Sequence, residues 1–207
     1  NTWATPLFFR PFDHGVDVSI HAGTKYVVGH SDAMMGLVTY KGDVGEALNA
    51  GVQDLGCPAG PDDCWLALRG LRTMGVRLKQ HQEAALEVAR WLDGRAEVSR
   101  VLHPALPACP GHATFERDFR GSSGLFGFVM RPCADHALAA MLDPMELFGM
   151  GYSWGGYESL LIPTWPHRTA EAWSHTGQPM RIHVGLEDPA DLIRELEAGF
   201  ARLRDAA

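Results

Sequence analysis

The stretch Asp17-Val18-Ser19-Ile20-His21-Ala22-Gly23-Thr24-Lys25-Tyr26-Val27-Val28-Gly29-His30-Ser31-Asp32 decides how the rest of the chain is read. Val16, Val18 and Ile20 alternate with Asp17, Ser19 and His21, the period-two pattern of a half-buried strand, and Gly15 supplies the turn before it. A strand over Val16 to His21 is therefore expected, followed by a break at Gly23-Thr24-Lys25. Tyr26-Val27-Val28 is a short apolar piece closed by Gly29. Lys25 thus stands at the carboxyl end of a strand, where its amine could project into a cleft. Taken alone, the local pattern favours a surface lysine whose stem lies along apolar neighbours.

Outward from this stretch, Met34 to Tyr40 reads as a second strand. Val44 to Asn49 suits a short helix, and Gly51 to Gly60 carries enough glycine, proline and cysteine for a loop. Pro61-Asp62-Asp63 is a helix start, and the helical period continues to about Gly94 with a break or bend expected at Gly70 and Gly75. Beyond it, strands are expected at Val98 to His103, Leu125 to Met130, Leu147 to Met150 and Arg181 to Val184. Helices are expected at Ala113 to Asp118, Asp135 to Leu142 and Ala190 to Leu203. The pattern is that of an α/β chain divided near Leu71 to Thr73. Residues 72–207 form a smaller α+β unit with a helix-covered antiparallel sheet.

The chain has 207 residues, 46% apolar and 21% charged, which is globular composition. The formal net charge of −7, with arginines scattered among acids, offers no field for a phosphate backbone, so nucleic acid is not expected as a partner. No run of about 18 uncharged apolar residues suggests a membrane span, and no signal peptide is evident. Cys57, Cys64, Cys109 and Cys133 have irregular spacing and read as reduced cytosolic thiols, which points to a cytoplasmic protein. The 10 histidines form no metal motif, so no metal site is expected. His30, His81, His103 and His183 read as surface or satisfied core residues.

The quoted stretch resembles the cofactor-lysine segment of the Cys/Met-metabolism family of fold-type-I pyridoxal-phosphate (PLP) enzymes, which includes cystathionine lyases, cystathionine synthases and sulfhydrylases. Tyr152-Ser153-Trp154-Gly155-Gly156-Tyr157-Glu158-Ser159 is similar to the form seen in bacterial cystathionine beta-lyases, where gamma-type members tend to have leucine in place of Trp154. Arg181-Ile182-His183-Val184-Gly185-Leu186-Glu187-Asp188 looks like the segment that supplies the family's carboxylate-binding arginine. The similarity runs from Asn1 to about Leu203.

The resemblance implies a fold-type-I PLP transferase-like architecture. Residues 1–71 would be the C-terminal part of the PLP-binding large domain, and 72–207 the C-terminal α+β domain. The abrupt start at Asn1 reads as a piece of something longer. The family pattern places an aspartate for the pyridine nitrogen just before it, with the phosphate turn and a ring-stacking tyrosine further upstream. That upstream segment is thus an expected partner, as are further copies of the chain, since the resemblance implies a homotetramer built of dimers.

The implied activity is that of a PLP-dependent carbon–sulfur beta-lyase cleaving cystathionine to homocysteine, pyruvate and ammonia, in transsulfuration and methionine biosynthesis. A lysine bonded to the cofactor must be partly neutral near physiological pH, which needs desolvation or a nearby cation. Lys25 takes that part by resemblance, carrying the cofactor and moving the Cα proton. Thr24 offers a hydroxyl and an N–H to the cofactor phosphate. Ala22 stands where many members have a serine, so one phosphate contact is expected to be missing or supplied by backbone. Arg181, in an otherwise apolar strand, can grip a carboxylate with two parallel hydrogen bonds, although an edge arginine facing water is the plainer reading of its pattern. Ser153 would orient the Lys25 amine, Trp154 would wall the substrate pocket and Tyr152 would stand near the leaving group. For the last two, core packing is an equal alternative. The competing functions are a gamma-synthase, gamma-lyase or sulfhydrylase of the same family, and a catalytically inert fragment serving only in assembly.

Overall fold

A two-stranded ribbon carries the lysine. In the computed structural model, which describes residues 1–170 and 172–207, β1 (Val18–Ala22) pairs antiparallel with β2 (Gly36–Tyr40), Val18 opposite Tyr40 and Ala22 opposite Gly36. Both strands start two residues later than the alternation suggested. Before them lie a short helix α1 (Thr5–Phe8) and a 3₁₀ turn (Pro11–His14), neither expected from the sequence. Between the strands the chain does not stay extended. Val28 N–H donates to Gly23 C=O at 3.0 Å and Gly29 N–H to Lys25 C=O at 2.8 Å, so residues 23–29 wind into helical turns. Winding lets Tyr26, Val27 and Val28 turn inward together, and all three are buried.

What they pack against comes from the long helical region. α3 (Pro61–Leu71) starts with Pro61 and two acids in its first turn, as an N-terminus favours, and α4 (Met74–Asp93) follows after a break at Arg72 and Thr73. The break is tied to the lysine turn by Arg77 of α4. Its Nη2 donates to Tyr26 C=O at 2.9 Å and to Gly70 C=O at 2.7 Å, and its Nε to the Thr73 hydroxyl at 3.1 Å. Tyr26, Val27, Val28, Ala33, Ala67, Met74 and Leu78 form a small core here. Ahead of α3, α2 (Val44–Leu55) runs six residues past the expected end at Asn49. A glycine inside a helix costs only about 1 kcal/mol, so Gly51 does not stop it. Termination comes at Gly56, whose φ of +64° is the left-handed conformation that favours glycine.

The second and larger core lies under a five-stranded sheet. Its strands are β3 (Val98–Leu102), β4 (Leu125–Met130), β5 (Phe148–Gly149), β6 (Ser159–Pro163) and β7 (Pro179–His183), in the order β3-β4-β7-β6-β5. All pairs are antiparallel except β5 with β6, which is parallel and corrects the all-antiparallel expectation. β6 itself was not expected. Its Leu160-Leu161-Ile162 run is too short to show a period, as befits a strand lying between two others.

Helices α6 (Asp135–Leu142) and α7 (Pro189–Asp205) cover the sheet together with the second half of α4, and α5 (His112–Asp118) is a short connector. Phe128, Leu161, Met180, Ile182, Leu192, Leu196 and Phe200 are among the large fully buried side chains of this core. Glu195 of α7 accepts from the N–H groups of Glu146, Leu147 and Phe148, which sets the start of β5. The two cores meet along α4, with Met74 and Leu78 in the small one and Ala84 to Leu92 in the large one.

One glycine couples the fold to the lysine. A methyl group on Gly70 would run into the carbonyls of Val27 and Val28, which are backbone and cannot swing aside. Gly70→Ala should destabilise the protein by about 1–3 kcal/mol, as overpacking does. Urea unfolding checks this, and an unchanged midpoint would show that α3 does not bear on the lysine turn.

Candidate active site

Lys25 sits in the first helical turn after β1, and its amine is reached by a loop 128 residues away in sequence. Nζ lies 2.8 Å from Ser153 Oγ. The loop of residues 151–158 connects β5 to β6, and its glycines allow the close approach. Gly155 has a φ of +80°, and a Cβ there would lie 3.0 Å from Lys25 Cβ, so only glycine fits. The loop is also held from β7, where Arg181 Nη2 donates to Gly151 C=O at 2.9 Å and Ser153 C=O at 3.4 Å. No other hydrogen bond of this guanidinium occurs among the described residues, so its remaining donors can serve an incoming anion.

Trp154 fills the floor between these groups. The Lys25 amine stands 5.3 Å from its ring centroid, within cation–π range, and Tyr26 meets the ring edge-on at 5.7 Å. Partial burial, and secondarily the Arg181 guanidinium, hold the Lys25 ammonium below the usual lysine range. The indole face, 5.3 Å from the amine, pulls the other way by favouring the cation. Burial likewise lowers Arg181 from its usual value.

Of the residues singled out in the sequence, Lys25, Ser153, Trp154 and Arg181 therefore come together at one place. Tyr152, beside Ser153 on the same loop, is 83% exposed and stands near enough to Arg181 to act on its charge. Thr24 borders the site, yet its N–H donates to Met35 C=O at 3.2 Å. Its hydroxyl accepts from Met35 N–H at 2.9 Å and donates to Met35 C=O at 3.3 Å. The sequence reading left His183 and His81 aside as surface or core residues, and both lie buried directly beneath the loop. The signal for His183 was available, since two residues after Arg181 on a strand is the same face. His81 had none.

The family model described as Cys/Met metabolism PLP-dependent enzyme matches residues 1–201. The chain belongs to that family. A Salmonella typhimurium relative named cystathionine beta-lyase is 47% identical over 209 residues, covering 98% of this chain and 53% of its own length. A Wolbachia pipientis relative named L-alanine/L-glutamate racemase is 44% identical over 207 residues, covering 98% of this chain and 51% of its own. Among solved structures, a Xanthomonas oryzae cystathionine gamma synthase in complex with cystathionine superimposes with a TM-score of 0.91 at 34% identity, over 100% of this chain and 55% of that one. The fold is accordingly that of the fold-type-I PLP enzymes, with a helix-covered sheet, and the family's cofactor is pyridoxal phosphate. The chain spans about half the length of the curated relatives it matches.

Among the described residues no helix is long and apolar enough to cross a membrane, no group of three His, Cys, Asp or Glu could hold a metal, and the four cysteines are free. If Arg181 depresses the Lys25 amine, Arg181→Gln should raise its titration midpoint. A carbon-detected NMR titration of the lysine side chains follows this, with Lys41 and Lys79 unmoved. A Lys25 midpoint that stays put would remove Arg181 from the account.

Proposed function

We propose that this chain, within its complete protein, supplies the lysine-bearing half of a PLP-dependent carbon–sulfur beta-lyase that converts cystathionine and water to homocysteine, pyruvate and ammonia. The observation that carries the reading is the Lys25 Nζ to Ser153 Oγ contact of 2.8 Å, made beside Arg181. Two features fit the cofactor. One is an amine held below the usual lysine range in an open site, suited to covalent attachment. The other is the Thr24 hydroxyl, whose bond to Met35 C=O is long at 3.3 Å and can be exchanged for a phosphate oxygen. When bound, pyridoxal phosphate supplies a conjugated ring that withdraws electrons from the substrate's Cα.

The residues of the chain do the rest. Arg181, pinned by two carbonyls on one side, presents its other donors to the α-carboxylate and fixes the substrate's orientation. Lys25 takes the Cα proton, and the Ser153 hydroxyl aims the amine while it does so. The Cβ–S bond then breaks, its electron pair leaving on sulfur, and Lys25 returns a proton to the thiolate. The three-carbon remainder takes up water to give pyruvate and ammonia. Trp154 walls the pocket on one side of the amine. Tyr152, exposed and near Arg181, is the second candidate to protonate the leaving sulfur.

The gamma-type reading draws on the Xanthomonas synthase fold match. Trp154, in place of the leucine usual in gamma-type sequences, favours the beta reading. We further propose that residues 1–71 complete a larger domain with the remaining part of the protein. That part would cover the groove of about 700 Å³ between β2 and α2, where Met34, Val38 and Val52 stand exposed. A homotetrameric, cytoplasmic enzyme is the corresponding expectation for the whole.

In the complete protein, Lys25→Ala should abolish both turnover and the visible absorbance of bound cofactor, and retention of both would refute the assignment. The unsubstituted enzyme should release pyruvate from cystathionine, whereas 2-oxobutyrate would mark gamma chemistry. Arg181→Lys should raise KM by about 10- to 100-fold, the worth of a charge-assisted hydrogen bond, and an unchanged KM would place the carboxylate elsewhere.

A further inference from the structure

Two histidines that the proposed chemistry does not use lie under the loop that meets Lys25. His81 comes from α4 and His183 from β7, and they are 0% and 1% exposed. Their ring centroids are 5.3 Å apart, and Tyr26 closes the group at 5.2 Å from His81 and 6.0 Å from His183.

Their hydrogen bonds select one tautomer for each ring. His81 Nδ1 lies 2.8 Å from Val184 C=O, a bond only if Nδ1 carries the proton, which leaves Nε2 a bare acceptor. Gly155 N–H donates to His183 Nε2 at 3.0 Å, so that nitrogen is bare and the proton sits on Nδ1. His183 Nε2 also lies 3.3 Å from Gly156 C=O, which the opposite tautomer would serve. That choice would set a donor against the buried Gly155 N–H and leave acceptors unpaired on both rings, so the shorter contact decides. The two atoms left over are His81 Nε2 and His183 Nδ1. In the selected tautomers they are an acceptor and a donor. The two rings are neighbours, with 5.3 Å between their centroids, and neither of these atoms has another partner among the described residues.

The surroundings keep both rings neutral. Burial lowers His81 to about 4, with Arg77 adding to it against the Val184 and Gly185 carbonyls. Burial lowers His183 to about 3, with His81, Arg181 and Lys25 adding to it against the Gly156 carbonyl. The groups facing the pair are thus cations from α4, β7 and the lysine turn, together with the Tyr26 phenol, whose burial pushes its own pKa up.

We propose that His81 and His183 form a neutral, one-directional hydrogen-bond chain, from the Gly155 amide to the Val184 carbonyl, that positions the Lys25 amine against Ser153. They are positioning residues and touch no reacting atom. The mechanical link is Gly155, whose Cα presses on Lys25 so closely that a Cβ would come within 3.1 Å of the Lys25 backbone. With its amide pinned, the loop cannot drift, and Ser153 two residues earlier stays at 2.8 Å from the amine. The consequence for turnover rests on the reading of Lys25 as the cofactor lysine, whereas the tautomers do not.

The test uses the complete holoenzyme. Long-range nitrogen–proton NMR correlations should report Nδ1–H on both rings across the neutral pH range. Nε2–H on either ring overturns the proposal. His183→Leu, compared at equal cofactor loading, should lower kcat by about 100-fold, the effect of a small misplacement of reacting groups, and shift the pH midpoint of the bound cofactor's visible band. His183→Gln, whose side-chain oxygen can accept from Gly155 N–H, should restore both. A leucine variant with wild-type kcat and midpoint contradicts the proposal. If that variant does not fold, the tautomer spectrum decides alone. Failure of the lysine reading shows itself separately, as cofactor absorbance that survives Lys25→Ala.

Discussion

The contact between the Lys25 amine and the Ser153 hydroxyl joins two segments that share no strand pairing and lie far apart in sequence. It exists because each is anchored to the same framework. Arg77 of α4 holds the lysine turn by its carbonyls, and Arg181 and His183 of β7 hold the loop by its backbone. Because α4 and β7 flank one core, both anchors move as one body. The site is thereby preorganised by rigid elements, although its own residues sit on a turn and a loop.

Arg77 shows how this is held without a carboxylate. Its guanidinium is 7% exposed, and its bonds go to Tyr26, Val27, Gly70 and Thr73. Burying a cation this way is costly, and its pKa is lowered accordingly, yet the carbonyls at the end of a helical turn carry the partial negative charge that offsets it. A fixed positive charge behind the turn also disfavours protonation of His81 in front. The polar interior around the lysine turn thus disfavours additional protons.

Much of this was readable in the chain. β4 and α6 fall where their patterns put them, Leu125 to Met130 and Asp135 to Leu142, since both have clear periods and defined ends. Lys25, Ser153, Trp154 and Arg181 were named from motifs, and the fold brings them together. What sequence could not supply were the tertiary choices. The Tyr26 to Val28 triplet looks extended and is wound, because only winding lets all three side chains meet α3 and α4. The start of β5 depends on Glu195, and the placing of His81 depends on where α4 crosses β7. Such crossings leave no local signature. Tyr152 was named by motif as well, and it stands exposed near Arg181.

The central claim concerns which nitrogen carries the cofactor, and reductive trapping addresses it directly. Borohydride reduction of the complete holoenzyme, followed by digestion and peptide mass mapping, should find the pyridoxyl mass on Lys25. The same mass on Lys41, Lys79 or a lysine elsewhere in the protein would contradict the account.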